Sequence, residues 1–178
     1  MRLQGTRCSL RLWRMDDAES LVRHANNVNV ARQLRDRFPH PYSRANASAF
    51  LKAATSAPEA SNLAIEIDSY AIGAIGYVAG IDVERYSAEI GYWLGEAYWG
   101  RGIATEALIL MTTHVFESMN MLRLFAVPFA DNAGSIRVLE KAGYVREAIL
   151  RSSSVKYGQP RDQLMYARVN ENWRGVTP

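Results

Sequence analysis

The chain has 178 residues, of which 48% are hydrophobic and 22% are charged, and its formal net charge is +3. These values predict one globular domain with a sizeable core, and a single cysteine, Cys8, excludes a disulfide framework. The first residues lack the apolar core of a secretory signal, and no apolar run approaches the roughly 20 residues of a membrane helix. We therefore expect a cytoplasmic protein without a membrane partner.

Strand and helix patterns alternate along the first part of the chain. Apolar and polar residues alternate from Thr6 to Trp13, which predicts a half-buried strand. Asp16 can cap the helix that follows, because the apolar residues after it repeat with helical spacing. A short helical piece is expected up to about Arg35, and two prolines then stiffen an aromatic loop at residues 38–42.

A third helix and three strands are predicted next. Ser43 can start the helix, which we expect to end before Pro58. The strands are indicated by apolar runs that turn residues separate from one another. They are Leu63–Asp68, Ala71–Ile81 and Ser87–Leu94.

The remaining pattern predicts a long helix and a closing pair of strands. An apolar helix runs from Ile103 to about Met119, and a strand at Arg123–Val127 follows it. Asn132 can open another helix that ends at Gly143, because glycine favours the left-handed conformation found at helix ends. The last two strands are Val145–Lys156 and Asp162–Val169. We predict a mixed α/β (α+β) fold in one domain, 1–178, with a central sheet of six or seven strands flanked by helices.

Gly100 and Gly102 lie between the strand that ends at Leu94 and the long helix that begins at Ile103. The first N–H groups of a helix have no partner within it and lie at the positive end of its dipole. Glycine lets a ligand approach these groups closely, so the junction is suited to a phosphate or pyrophosphate. A Walker loop is excluded because its sequence is absent, and a dinucleotide fingerprint would need a third glycine where Thr105 stands.

Charge distribution is compatible with a polyanionic ligand. Residues 1–100 are electrically balanced, whereas residues 101–178 hold 10 basic and 7 acidic residues. The excess therefore lies in the half that contains the glycine junction. No dense cluster of Lys and Arg is present, so we expect no nucleic-acid partner. No pair of His or acidic residues has metal-ligand spacing, so no metal is expected either.

The segment Ala-Glu-Ile-Gly-Tyr-Trp-Leu, followed by Tyr-Trp-Gly-Arg-Gly-Ile-Ala-Thr-Glu-Ala, resembles the central motif of the GNAT superfamily of N-acetyltransferases. Gly102 and Ala104 match the last two fixed positions of its Gln/Arg-x-x-Gly-x-Gly/Ala loop, whereas Trp99 departs from the first. Residues 131–144 resemble the second cofactor motif. Residues 10–17 and 38–42 are similar to the subgroup of RimJ/RimL ribosomal-protein N-terminal acetyltransferases. The resemblance covers about residues 6–170.

The resemblance implies that acetyl-CoA is the acetyl donor and that the acetyl group passes directly to an amine. Main-chain groups near Trp93 and Leu94 would pair with the pantetheine arm like an added strand, and one N–H could polarise the thioester carbonyl. Asn132 would hydrogen-bond to the arm, cap the helix, or do both. The loop residues expected to bind the pyrophosphate are Gly100, Arg101, Gly102, Ile103, Ala104 and Thr105.

The resemblance is less complete for the catalytic groups. Glu89 would face the substrate cleft and accept the ammonium proton, directly or through a water. Many family members place a tyrosine seven residues after the motif asparagine, as an acid for the thiolate, but here that position holds Leu139. Ser135 is the nearest substitute, and it would stabilise the thiolate by a hydrogen bond more than protonate it.

The aromatic loop is the predicted acceptor side. Phe38, His40 and Tyr42 would either shape an acceptor slot or anchor the loop through buried rings. The subgroup resemblance implies an acceptor amine at a protein N-terminus, and a small-molecule amine is the alternative. A non-catalytic acyl-CoA sensor and a dinucleotide-dependent oxidoreductase are the rival classes. A homodimer is compatible with the sequence.

Overall fold

A computed structural model describes residues 1–56 and 61–175 and contains an eight-stranded sheet in the order β1-β2-β3-β4-β5-β6-β8-β7. The strands are β1 (Arg2–Gln4), β2 (Ser9–Arg11), β3 (Asn62–Ile67), β4 (Tyr70–Ala79), β5 (Ser87–Leu94), β6 (Arg123–Ala126), β7 (Val145–Lys156) and β8 (Gln159–Val169). Within the described residues the α-helices are α1 (Ala18–Ala25), α2 (Val28–Ala31), α3 (Arg44–Ser56), α4 (Ile103–Ser118) and α5 (Ala133–Lys141). The predicted mixed α/β fold is confirmed, although the sheet has more strands than the six or seven predicted.

The extra strand comes from the N-terminal segment. β1 has three residues and pairs antiparallel with β2, which is only the middle of the strand predicted at Thr6–Trp13. Residues 5–8 form a turn instead, in which the N–H of Gly5 donates to the carbonyl of Cys8 over 3.0 Å. The prediction of one continuous strand from Thr6 to Trp13 was wrong here. The alternation of apolar and polar residues does not reveal that a distant carboxylate, that of Glu106, holds this turn.

The end of α2 and the start of β8 also differ from the predictions. The helix α2 ends at Ala31 rather than near Arg35. The strand β8 begins at Gln159, three positions before the predicted start, because the β7–β8 turn occupies only residues 157 and 158, both with positive φ. Positive φ at both central positions matches the twist of paired strands, so a two-residue hairpin turn suffices. Pro58, the expected stop of α3, lies outside the described residues.

The sheet separates two hydrophobic clusters. One cluster packs sheet residues against α4 and α5 and includes Leu108, Met111 and Leu124, all fully buried. The other packs α1 and α3 against the opposite side and includes Leu21 and Leu51. Because apolar side chains cover both sides, the sheet is held as the middle layer of the domain.

A buried ion-pair network attaches α1 to the sheet. Arg11 of β2 donates two hydrogen bonds of 2.7 Å to the carboxylate of Asp17, which directly precedes α1. Its Nε also donates to Glu66 of β3, and all three residues are at most 5% exposed. Burial opposes ionisation of Glu66, but the guanidinium groups of Arg11 and Arg2 lower its pKa. The carboxylates of Asp17 and Glu66 therefore balance the charge of Arg11, which would otherwise be costly to bury.

The sheet opens into a gap between β5 and β6. These two strands are parallel and pair only at residues 87–89 with 123–125. Beyond that point β5 stays with β4, whereas the chain after β6 stays with β8 through a hydrogen bond from Leu164 N–H to the Pro128 carbonyl, 2.9 Å. The gap, bounded by residues 90–94 on one side and 127–130 on the other, is where an extended ligand can add to the edge of β5.

None of the helices in the described ranges combines the length and the apolar character that crossing a membrane requires.

Candidate active site

The start of α4 presents main-chain donors without a side-chain cap. Gly100 and Gly102 both have a φ of 75°, in the left-handed region that favours glycine. Gly102 is the N-cap, and no side chain among the described residues caps this end. In contrast, the starts of α2 and α5 are capped by the side chains of Asn27 and Asn132. The first helical hydrogen bond comes from the N–H of Glu106, so the three preceding N–H groups remain for an anion.

The loop residues predicted to bind pyrophosphate are together at this point. Ile103 is buried in the core and Ala104 is packed against it, so these two residues can contribute only main-chain groups to a ligand. Thr105 lines a cavity of about 590 Å³ together with Gly102. Arg101 instead lies on the surface with its guanidinium 5.6 Å from the centre of the Tyr98 ring.

Two cations that the sequence analysis missed border the same cavity, Arg7 and Lys141. A Cβ added at Gly102 would lie 3.4 Å from Nε of Arg7, which shows how closely this side chain approaches the loop. A Cβ added at Gly100 would meet nothing within 4 Å. Uncapped donors, open space at glycine and two adjacent cations fit the diphosphate and nucleotide end of a CoA molecule.

Glu106 holds the cavity wall in place. Its carboxylate accepts hydrogen bonds from the N–H groups of Thr6, Arg7 and Cys8 at 2.7–2.9 Å, and from the Thr6 hydroxyl at 2.6 Å. Burial alone would raise the pKa of Glu106, but these hydrogen bonds lower it to about 2. Burial and the nearby Glu106 raise the pKa of the Cys8 thiol to about 12. The β1–β2 turn that carries Arg7 is therefore fixed to α4 by an ionised carboxylate.

Trp99, which departs from the family motif, has a definite role in the loop. Its indole Nε1 donates to the carbonyl of Leu94 over 2.7 Å, although the ring is 45% exposed. This hydrogen bond ties the loop back to the end of β5. The structure thereby explains how the loop keeps its geometry without Gln or Arg at position 99.

The alternation of hydrogen bonds along β5 determines which of its main-chain groups face the gap. The Gly80 N–H donates to Ser87 and the Gly95 N–H donates to Ile72, each over 2.8 Å. Antiparallel ladders alternate, so odd-numbered residues of β5 bond to β4 and even-numbered residues point toward β6. The main chain of Leu94 therefore faces the gap, whereas that of Trp93 does not. The expected pairing with a pantetheine arm is narrowed to Leu94.

Glu89 is the last β5 residue that pairs with β6, so it lies at the closed end of the gap. Its carboxylate forms an ion pair with Arg35, which follows α2. The side chain of Glu89 is 30% exposed and that of Arg35 is 55% exposed. The Arg35 guanidinium therefore partly covers the Glu89 carboxylate at this end of the gap.

The predicted acceptor-side residues are only partly brought together. The ring of Phe38 lies 5.2 Å from that of Tyr42 and 5.5 Å from that of Trp93, centre to centre. Trp93 alternates onto the same side of β5 as Glu89, so this aromatic cluster lies on the carboxylate's side of the sheet. Tyr42 is 5% exposed and supports Phe38 from within, whereas the His40 side chain is exposed. Of the two interpretations of this loop, anchoring by buried rings fits Tyr42.

Ser135 lies on the other side of the gap, in the first turn of α5. Its N–H donates to Oδ1 of the N-cap residue Asn132 over 3.1 Å. Its hydroxyl lies 2.9 Å from the hydroxyl of Tyr92, which also reaches the Ser135 carbonyl over 3.2 Å. Leu139 is fully buried in the core and carries no group for proton transfer. Asn132 caps the helix through Oδ1, and no residue in the described ranges accepts a hydrogen bond from its Nδ2.

Sequence analysis missed four residues at this site: Arg7, Tyr92, Lys141 and Arg35. For Tyr92 alone, the sequence carried a signal of its position: it alternates with Glu89 along β5 and must therefore point to the opposite side of the sheet. The others reach the site from distant parts of the chain. Arg35, for example, contacts a carboxylate 54 positions away.

A sheet split between two parallel strands, with a glycine-rich helix start at its mouth, is the architecture of an acyl-CoA-dependent transferase. Residues 7–145 match the model of the acetyltransferase (GNAT) domain, and the chain belongs to this family. Members of the family use acetyl-CoA as the acetyl donor. The resemblance found in the sequence is thereby confirmed.

Three relatives illustrate the relationship. The uncharacterized N-acetyltransferase YoaA of Bacillus subtilis (strain 168) is 36% identical over 98 residues, which are 55% of each chain. The ribosomal-protein-serine acetyltransferase of Escherichia coli (strain K12) is 32% identical over 83 residues, 47% of this chain and 46% of that one. The structure of Mycobacterium smegmatis RimJ with CoA-disulfide superposes with a TM-score of 0.77 and 26% identity, covering 94% of this chain and 84% of RimJ. The alignments with the curated relatives thus span about half of each relative's length.

Proposed function

We propose that the protein is an acetyl-CoA-dependent N-acetyltransferase that acetylates a primary amine. The observation that carries the proposal is the uncapped start of α4 beside the β5–β6 gap. Donors for a diphosphate and a free strand edge for a pantetheine arm follow one another along residues 94–105. Family membership and the CoA bound by the related RimJ support the same donor.

The residues divide the chemistry between the two sides of the sheet. In amide formation the bond from the acetyl carbon to sulfur breaks, a bond to nitrogen forms, and the nitrogen loses a proton. Glu89 is the candidate acceptor of that proton, directly or through a water. The Leu94 N–H points into the gap and is the candidate donor to the thioester oxygen. Ser135 is the candidate hydrogen-bond donor to the departing sulfur.

The acceptor class follows from the relatives and is therefore part of the proposal. The Escherichia coli relative is a ribosomal-protein-serine acetyltransferase, which supports a protein acceptor, and the RimJ/RimL-like resemblance favours the α-amine at its N-terminus. The half-buried rings of Phe38 and Trp93, on the same side of the sheet as Glu89, would contact an acceptor bound there. A small-molecule amine remains the alternative acceptor.

Calorimetric titration with acetyl-CoA, and separately with NADH, tests the donor. We expect acetyl-CoA to bind and, at about 100 times its Kd, to stabilise the fold by about 2.7 kcal/mol. Binding of NADH without acetyl-CoA would support the oxidoreductase class and overturn the proposal. Gly102→Glu is the negative control, because it places a carboxylate among the anion donors.

Thiol release with a panel of amines tests turnover and the acceptor. The panel contains peptides that differ in their first residue, the same peptides with blocked N-termini, and amino acids and polyamines. We expect release with free N-termini and a mass gain of one acetyl group on the product. Acetyl-CoA binding without release by any amine would favour the sensor class, and release with small amines alone would reassign the acceptor.

A further inference from the structure

We propose that Tyr92 is a positioning residue that orients the Ser135 hydroxyl toward the departing sulfur and so replaces the hydroxyl absent at position 139. This inference rests on the proposed function. The observation that carries it is the distance of 2.9 Å between the hydroxyl groups of Tyr92 and Ser135. One belongs to β5 and the other to the first turn of α5.

The geometry gives Tyr92 two acceptors on the same residue. Its O–H reaches the Ser135 carbonyl at 3.2 Å and the Ser135 Oγ at 2.9 Å. When Tyr92 donates to Oγ, the hydrogen atom of Ser135 is free to point elsewhere. When Tyr92 donates to the carbonyl, Ser135 can donate back to the phenol oxygen. The phenol can therefore direct the only proton that Ser135 has to donate.

The position of Ser135 is fixed from a second direction. Its N–H is held by Oδ1 of Asn132 at 3.1 Å, so the main chain of this first turn has little freedom. A first-turn position is also favourable for a nearby anion, because the dipole of α5 is positive there. A serine held on both sides is better prepared to hydrogen-bond to a thiolate than a freely rotating one.

No proton has to leave the pair of hydroxyl groups. The electron pair of the broken carbon–sulfur bond stays on sulfur, and the proton lost by nitrogen passes to Glu89 or to water. Burial raises the pKa of Tyr92, so its phenol remains protonated and continues to donate. The contribution is a hydrogen-bond relay that stabilises the sulfur anion.

Titration of the thiol of bound CoA tests this inference without an acceptor amine. Thiolate absorbance is followed against pH in complexes with the wild type, Tyr92→Phe, Ser135→Ala and the double variant. We expect each single variant to raise the thiol pKa by about half to one unit. The double variant should match Ser135→Ala, because Tyr92 acts only through Ser135. A thiol pKa unchanged in Tyr92→Phe, or additive effects in the double variant, would overturn the inference.

Tyr166→Phe is the matched control. Tyr166 is another buried tyrosine, on β8, and its hydroxyl donates to Oε1 of Glu140 over 3.0 Å. Its replacement should leave the thiol pKa unchanged, and melting temperatures compare the folding of all variants. An equal thiol shift in Tyr166→Phe would mean that any buried hydroxyl has this effect, and the inference would be wrong.

Kinetics separate the inference from the proposed function. With a competent acceptor, Tyr92→Phe should lower kcat about tenfold while the Kd for acetyl-CoA stays constant. If the wild type turns over and Tyr92→Phe is as fast, only the inference fails. If the wild type binds acetyl-CoA but acetylates no amine, the proposed function fails and the inference fails with it.

Discussion

The donor side and the acceptor side of the candidate site are built from different chemical groups. On the donor side, main-chain N–H groups at the start of α4 follow two glycines with positive φ, and a cavity wall is fixed by one carboxylate, Glu106. On the acceptor side, ion pairs hold the segment after α2, with Arg35 on Glu89 and Lys156 on Asp36. Under the proposed function, the main-chain donors of the first side bind the diphosphate, and the side chains of the second side line the region assigned to the acceptor amine.

Contacts between the acceptor side and the C-terminal hairpin extend this comparison. Arg161 of β8 donates to the carbonyl of Arg32 over 2.9 Å and pairs with Asp131, which precedes α5. The hairpin and the segment after α2 are therefore joined. Because one partner of each ion pair is largely exposed, each pair contributes little to stability. We expect these contacts to affect access to Glu89 more than folding.

The largest effect is expected at the buried charge network that attaches α1 to the sheet. Replacing Asp17 with alanine leaves Arg11 buried with only Glu66, so we expect a loss of about 3 kcal/mol in the free energy of unfolding. Urea denaturation measures the loss. Asp16→Ala, at the adjacent exposed position, is the control and should change stability by less than about 0.5 kcal/mol. Equal stability of the two variants would show that the network does not hold α1 to the sheet.

Gly102→Glu is expected to break the donor side alone. The substitution combines strained backbone at a φ of 75° with a negative charge among the anion donors. We expect acetyl-CoA affinity to fall at least about 100-fold, or about 2.7 kcal/mol, as measured by calorimetry.

Gly158→Glu is the matched control for this substitution. Gly158 has a φ of 76°, and a Cβ there would meet nothing within 4 Å, so the backbone strain and the added charge are the same. Gly158 lies in the β7–β8 turn, away from α4. A similar loss of affinity in both variants would mean that strain, and not the anion site, explains the effect at position 102.

The glycine loop of the donor side could be predicted from the sequence because its determinants are local. Glycines that need positive φ, a helix start and a preceding strand fall within residues 87–119, and β5 has the predicted bounds at Ser87–Leu94. Main-chain recognition also tolerates changes such as Trp99. A short-range pattern is therefore sufficient to locate a helix start with uncapped main-chain donors.

Contacts between distant parts of the chain could not be predicted in the same way on either side. Lys156 and Asp36 are 120 positions apart, and Tyr92 and Ser135 are 43 apart. Their contacts depend on strand register, twist and the placement of α5, which no local pattern specifies. The missed strand β1 has three residues, too few for a period-two signal. The predicted role of His40 was likewise based on loop composition, and the structure leaves its side chain exposed.

Glu89→Gln should sharpen the comparison by removing the proposed proton acceptor while leaving the donor side intact. We expect kcat near neutral pH to fall about 100-fold, with an unchanged Kd for acetyl-CoA. Arg35→Met tests whether the ion pair itself is needed, and we expect it to retain most activity. Glu147→Gln, which breaks the ion pair of Arg123, is the control for loss of a carboxylate. Equal losses in Glu89→Gln and Arg35→Met would assign Glu89 a structural role.

The smallest effect concerns the pH dependence of the donor side. The pKa of Glu106 is lowered to about 2 from an ordinary value of 4.5, so the folded state favours the ionised carboxylate. Its contribution is fully present above about pH 4.5 and is lost as the pH falls toward 2. Allowing for solvent screening of a partly exposed group, we expect about 2 kcal/mol.

Unfolding at a series of pH values checks this contribution. Glu106→Gln should be less stable than the wild type at pH 7, and the difference should shrink as the pH falls below about 4.5. Glu117→Gln, an exposed position on the same helix, should show neither effect. A constant difference between wild type and Glu106→Gln down to pH 2 would mean that the hydrogen bonds from residues 6–8 do not depend on ionisation. In that case the β1–β2 turn that carries Arg7 would be held by contacts that do not need the charge of Glu106. Acid would then leave the cavity at the start of α4 intact.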